Sequence, residues 1–135
     1  MRHRKAGKKL GRSPSHRRAT RRNMIAALLG HERIVTTIEK AKAFKPAAEK
    51  MISLGRNKTL ANVRKAMAEL QDRALVAKLF DELGPRYKDR PGGYTRILKL
   101  PNRRLGDNGS QCIFELVDNK IVERQLAEMA EEGEE

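Results

Sequence analysis

Apolar residues recur along the chain with two alternating periods, and the changes of period mark its elements. Ser13-Pro14 reads as a helix start, with Ser at the N-cap and Pro at the first helical position. Met24, Ile25, Leu28 and Leu29 then form one stripe at helical spacing, and Gly30 reads as the stop, which predicts a helix over 14–29. Glu32 to Thr37 (ERIVTT) is short and β-branched and reads as a strand. Thr36 and Glu39 fit a capping box for a second helix, along which Ile38, Ala41, Phe44, Ala48, Met51, Ile52 and Gly55 keep helical spacing. Pro46 lies inside this run and is expected to kink the helix near 42–46 or split it. Gly55-Arg56-Asn57-Lys58 is a turn, and Thr59 caps a third helix with Leu60, Val63, Met67 and Leu70 on one side. Asp72 caps a fourth, with Leu75, Val76, Leu79, Phe80 and Leu83 inward and Gly84-Pro85 as its stop.

Residues 84–93 (GPRYKDRPGG) read as a loop, Tyr94 to Leu100 as a strand, the turn-rich 101–110 as its tip, and Gln111 to Asp118 as the returning strand of a long hairpin. Ile121, Leu126 and Met129 extend a final helix. Glutamates crowd its C-terminal end, where the macrodipole disfavours them, so fraying is expected there. No internal repeat occurs. The order α-β-α-α-α-β-β predicts a two-layer α+β fold, helices against a small, mainly antiparallel sheet. One globular domain over 13–118 is expected, preceded by an arm, 1–12, and followed by a tail, 119–135. A chain of 135 residues buries roughly two-thirds of its unfolded surface, and three Phe, two Tyr and no Trp make the core modest.

Charge adds the next layer. The chain carries 30 Lys and Arg against 17 Asp and Glu, a net charge of +13. Residues 1–31 hold ten of the basic residues and no acid; the first is Glu32. Residues 123–135 hold six glutamates against Arg124. The chain is therefore a basic arm, a mildly basic body and an acidic tail. Such an excess of positive charge points to a polyanionic partner. No apolar run approaches a membrane span, and the N-terminus lacks the apolar stretch of a signal peptide. An organelle transit segment is disfavoured because Gly and Lys-Lys break any amphipathic helix in the arm. One cysteine excludes an internal disulfide framework, and a reducing compartment is expected.

Candidate chemistry is sparse. His3, His16 and His31 are scattered, none beside a Ser or Cys in a nucleophilic pattern, and one Cys with dispersed His cannot make a metal site. Cys112 alternates with Phe114 and Leu116 on one strand face and reads as a small buried hydrophobe. Gly55 to Thr59 (GRNKT) lacks the first glycine of a phosphate-binding P-loop. Acids are dispersed, with no paired-carboxylate site. No catalysis, cofactor or metal is expected.

Nucleic-acid signals are stronger. Arg2, His3, Arg4, Lys5, Lys8, Lys9 and Arg12 in the arm, with His16, Arg17, Arg18, Arg21 and Arg22 on the first helix, can neutralise phosphates and release counterions. The arm's low apolar content predicts disorder when alone. Cations on the first turns of a helix oppose its dipole, a conflict that a phosphate removes. Arg86, Tyr87, Lys88, Arg90, Tyr94 and Arg96 repeat the theme before and into the hairpin, as do Asn102, Arg103 and Arg104 at its tip. Tyr87 and Tyr94 amid arginines could stack on unpaired bases; the competing reading is a half-buried ring with a wet hydroxyl. A helix-turn-helix DNA reader would need exposed base-reading side chains, and the third helix offers only Asn62, Arg64 and Lys65. Dispersed basic contacts suit an irregular folded RNA better. A nucleoid-associated DNA-binding protein is the alternative.

The opening MRHRKAGKKLGR, HRRATRRNM at 16–24, TTIEKAKAFKPAAEKMI at 36–52, LFDELGPRY at 79–87, RPGGYTRILKL at 90–100, GDN at 106–108 and ELVD at 115–118 together resemble the bacterial large-subunit ribosomal protein seventeen family. The likeness runs in unbroken order from Met1 to about Asp118. It implies the same α-β-α-α-α-β-β fold and a structural, non-catalytic, cofactor-free role in the cytoplasmic ribosome. It also implies binding to large-subunit rRNA, beside the small ribosomal protein numbered thirty-two. Pro46 and the glutamate-rich tail depart from the pattern.

Overall fold

The computed structural model describes residues 1–132. After the arm come α1 (Pro14–His31), β1 (Arg33–Thr37), α2 (Ile38–Gly55), α3 (Leu60–Leu70) and α4 (Arg73–Lys78). A π-helical turn (Leu79–Leu83) and α5 (Gly84–Arg86) follow, then β2 (Thr95–Arg103), β3 (Ser110–Leu116) and α6 (Lys120–Glu132). The three strands form one antiparallel sheet in the order β1-β3-β2, and α2 lies across it. This is an α+β fold.

Register sorts the sheet's two faces. Ile34, Phe114 and Ile97 share one cross-strand row on the helix side, beside the buried Cys112. Val35, Ile113 and Leu98 share a row on the opposite side, where Val35 and Leu98 are exposed. The core joins Ile25, Leu28 and Leu29 of α1 to Ala48 and Ile52 of α2, then to Leu79 and Leu83 of the π turn and Phe114 and Leu116 of β3.

Several boundaries differ from the pattern, each for a physical reason. Helix α1 starts as expected, with Ser13 Oγ accepting from the His16 N–H, but it runs past Gly30 to His31. Glu32 closes it in the left-handed region (φ 62°), its N–H donating to the Leu28 carbonyl at 2.8 Å. A non-glycine residue is held there by its side chain. The buried Glu32 carboxylate accepts from Arg86 Nη1 at 2.9 Å, Arg86 Nη2 at 3.2 Å and the Lys120 N–H at 3.1 Å, and pairs with Lys78 Nζ at 3.1 Å. Helix α2 is capped from Thr37, without a side-chain bond, rather than from Thr36. It passes through Pro46 unsplit. Pro46 and Lys42 are both exposed, so water can satisfy the carbonyl that lacks its helical donor. Leu60, expected inward, is exposed at the first position of α3; Ala66 and Leu70 are the buried residues there.

Gly84-Pro85 does not stop the helical path. The π turn widens just before Pro85, which has no N–H and whose ring crowds the carbonyl four residues back in a regular α-helix. Gly84 also rests against the backbone of Gly55, and a β-carbon on Gly84 would overlap the Gly55 carbonyl. Strand β2 extends to Arg103 through Pro101, which an edge strand with an irregular register between Lys99 and Arg103 tolerates. Helix α6 forms, with Asn119 Oδ1 accepting from the Val122 N–H, and leaves Leu126 and Met129 exposed. The fraying expected at its glutamate-rich end is not seen as far as Glu132, where the helix still runs; residues 133–135 lie outside the described residues.

Burial alone would raise the Glu32 pKa, but the Arg86, Lys120 and Lys78 hydrogen bonds outweigh it and bring the carboxyl down to about 2. A carboxylate with a depressed folded-state pKa stabilises the fold above its ordinary value near 4.5 and loses that contribution as pH falls toward 2. Thermal melting between pH 5 and pH 2 should show this loss. At pH 7, Glu32→Gln is expected to cost about 3 kcal/mol, because two cations lose their buried partner. The acid-side loss should shrink in that variant.

Candidate nucleic-acid interface

The basic residues fall into three regions. In the first, the arm lies over the start of α1. Arg17 Nη1 donates to the carbonyls of Arg12 at 2.5 Å and Lys9 at 3.3 Å, so one arginine hooks the arm to the helix. Arg2, His3, Arg4, Lys5, Lys8 and Lys9 are exposed. Among the described residues, none of these lysines and arginines has an ion-pair partner. Arg12 is half-buried at the hinge, and His3 Nε2 touches Met1 sulfur. His16 and Arg18 are exposed on α1. Arg21 and Arg22 are not free: Arg21 pairs with Glu69 of α3 at 2.8 Å and Arg22 lies 3.5 Å from the same carboxylate. Arg17, Arg21 and Arg22 therefore build the body, and the outward charge of α1 is carried by Arg18. No acid occupies the first turn of α1, so its exposed N–H groups still favour an anion.

The second region, around residues 84–96, changes most against expectation. Tyr87 and Tyr94 are 1% and 2% exposed. Their rings tilt together with centroids 5.3 Å apart. The Tyr87 hydroxyl donates to the Val117 carbonyl at 2.5 Å. The Tyr94 hydroxyl accepts from Arg56 Nη1 at 3.0 Å and donates to the Arg90 carbonyl. Both rings are core residues that pin the loop to the sheet, and neither can stack on a base in this fold. Burial also raises the Tyr87 pKa, keeping its proton on the oxygen. Arg86 serves Glu32, and Arg96 pairs with the buried Glu115 at 2.5 Å, opposite Arg33 at 3.3 Å. Lys88 and Arg90 remain outward, although Arg90 Nε also holds the Gly93 carbonyl. Arg86 sits beside the C-terminal end of α1, so the length of an 18-residue helix, about 27 Å, separates it from the arm.

The third region is the hairpin tip. Asn102, Arg103 and Arg104 are exposed. Arg103 Nη1 donates to the Asn108 carbonyl at 3.3 Å. Arg104 pairs with Asp107, and that hydrogen bond, joined by the Gly109 N–H, holds the Asp107 carboxyl well below the usual range.

The pattern of exposed lysines at Lys42 and Lys50, eight residues apart on α2, was not singled out from the sequence, although the spacing places both on the helix's outward side. Lys65 of α3 joins Lys50 near the arm. Asn62, which a DNA-reading helix would present, instead donates its amide to the Asn57 carbonyl at 2.8 Å. Cys112 is buried, and burial, with Glu39 nearby, raises its pKa away from a reactive thiolate. Among the described residues, no group of His, Cys, Asp and Glu could hold a metal, and no helix is long and apolar enough to cross a membrane.

Comparison with known proteins fits this arrangement. The family model for ribosomal protein L17 matches residues 20–117. The chain belongs to the ribosomal protein L17 family. The large ribosomal subunit protein bL17 of Syntrophotalea carbinolica is 52% identical over 124 residues, 92% of this chain and 79% of the relative. That of Trichlorobacter lovleyi is 53% identical over 118 residues, 87% of this chain and 94% of the relative. L17 is a structural component of the bacterial large ribosomal subunit, in the cytoplasm, and not an enzyme. The matched span leaves out the whole arm, the start of α1 and all of α6, so the L17 signature rests on the folded body.

Tyr87→Phe tests the reassignment of the tyrosines. It is expected to lower stability by about 1 kcal/mol through the lost Val117 bond, measured by urea unfolding, and to leave RNA affinity unchanged in a filter-binding assay.

Proposed function

We propose that the chain holds large-subunit rRNA chiefly through its arm, 1–12, and the exposed start of α1, with the hairpin tip as a second contact. The body, 13–118, fixes the geometry of both. The observation that carries this reading is the arm itself: a segment without a single acid, exposed, and hooked by Arg17 onto α1. Phosphate contacts of this kind supply affinity and register, and RNA shape supplies specificity. Neighbouring ribosomal proteins complete the environment, with the one numbered thirty-two the expected neighbour by family resemblance. The acidic stretch of the tail, 123–135, repels RNA and faces solvent or a basic protein.

Sedimentation is the first test. In a sucrose gradient, the chain should remain with the large subunit through a high-salt wash; release at moderate salt would make it a loosely bound factor. Removing residues 2–12 is expected to weaken rRNA binding and leave the thermal midpoint of the free protein nearly unchanged, since the arm contributes almost no core. Substituting Lys8→Gln or Arg18→Gln should each reduce the salt slope of binding by about 1. Arg22→Gln should move it far less, because Arg22 faces Glu69. Deleting residues 123–135 is expected to leave incorporation into subunits intact; lost incorporation would contradict the role assigned to the tail.

A further inference from the structure

Between the arm, α1, α2 and α3 runs an open groove of about 740 Å³. Its composition is divided. The floor is apolar, made by Ile25 of α1 and Phe44, Ala47 and Met51 of α2. The rim is cationic: Arg18 on one side, Lys50 and Lys65 on the other. Glu69, the one acid at the rim, is already held by Arg21 at 2.8 Å. Pro46 also lines the groove. The groove thus offers an apolar surface and a rim of positive charge within one small volume.

We propose that this groove takes a single unstacked rRNA nucleotide. Its base lies on the floor formed by Phe44, Ala47 and Met51, and its flanking phosphates lie against Arg18, Lys50 and Lys65. The inference rests on the rRNA-binding reading above and names a site within it. An apolar floor alone would suit an aliphatic side chain, and a basic rim alone would suit any polyanion. A nucleotide carries both a flat apolar ring and phosphate oxygens. The volume lies in the range of small-ligand sites. The adjoining arm delivers a phosphate chain to the groove's mouth, since Lys8 lines the same groove. Single-stranded RNA segments are commonly read by splaying a base out onto a protein surface. With Tyr87 and Tyr94 buried, this groove takes the base-contacting role that their positions suggested.

The test has two parts. Purified large subunits carrying this chain are irradiated with short-wave ultraviolet light, and nucleotide adducts are mapped on its peptides. Adducts are expected on the peptides containing Phe44 or Met51. In the second part, the full-length Ala47→Phe variant fills the floor without removing a cation. Its affinity for deproteinised large-subunit rRNA should fall about tenfold, the lower range for one stacked base, with the salt slope unchanged. The Lys50→Gln, Lys65→Gln double variant changes only exposed side chains; it should lower the slope while keeping the fold, which tests the phosphate half without disturbing the floor. Adducts confined to the arm, together with unchanged affinity for Ala47→Phe, would overturn the groove assignment and leave rRNA binding standing. Cross-links from the groove to another protein would also overturn it, by showing a different occupant. No binding of rRNA by the unmodified chain would remove the wider reading as well.

Discussion

One buried carboxylate, that of Glu32, holds the architecture together. It ends α1, precedes β1 and receives Arg86 from α5, Lys78 from α4 and the first N–H of α6. Its own carbonyl accepts from Leu116 at the end of β3. Both layers and the C-terminal helix thus meet at one residue. A buried ion cluster of this kind contributes little net energy over an apolar replacement, because desolvation offsets attraction. Its effect is geometric. It forces a left-handed turn at a non-glycine position and thereby sets the angle at which the helix layer meets the sheet.

Several other acids of the body follow the same logic. Glu69 ties α1 to α3, Glu115 gathers Arg33 and Arg96 on the outer sheet face, and Asp81, Glu82 and Asp107 each hold a cation. The chain has fewer acids than bases, and it uses these to fasten its own framework. What remains outward is the surplus: arm lysines and arginines, Arg18, Lys50 and Lys65, with Lys88 and Arg103 farther away. The cations are therefore divided by position into structural arginines, mostly half-buried and paired with acids, and free lysines and arginines, densest in the arm. Composition alone could not separate the two sets, because each appears in the sequence as the same letter.

Much of the fold was legible because local chemistry agreed with it. Ser13, Thr59 and Asp72 cap their helices as their types predict, and the alternation of Cys112, Phe114 and Leu116 marks the inner face of β3. The misreadings share a cause: a distant partner decided the outcome. Gly30 looked like a helix stop until the Glu32 cluster moved the stop two residues on. Gly84-Pro85 looked like a terminator, but the contact with Gly55 and a widened turn carry the chain through. Tyr87 and Tyr94 sit in a string of arginines, glycines and prolines that reads as surface loop. Their burial depends on Val117 and Arg56, which nothing nearby in the sequence announces. The arm was legible from charge, whereas its anchoring by Arg17 and the groove beside it were not, since both arise from elements brought together only by folding.

The sheet order has a temporal consequence. Strand β1 pairs only with β3, which lies between Ser110 and Leu116, and the Glu32 carboxylate waits for a backbone N–H 88 residues downstream. Contacts so distant along the chain form late, after the cost of closing a long loop has been met. During synthesis, the strand at the centre of the order, β3, emerges last, so β1 stays unpaired until nearly the whole body has left the exit tunnel. Helices α1 to α3 can associate earlier, but without the sheet they have only part of a core. The N-terminal segment needs none of this. A nascent chain exposes its cationic arm long before the body that will carry it has closed.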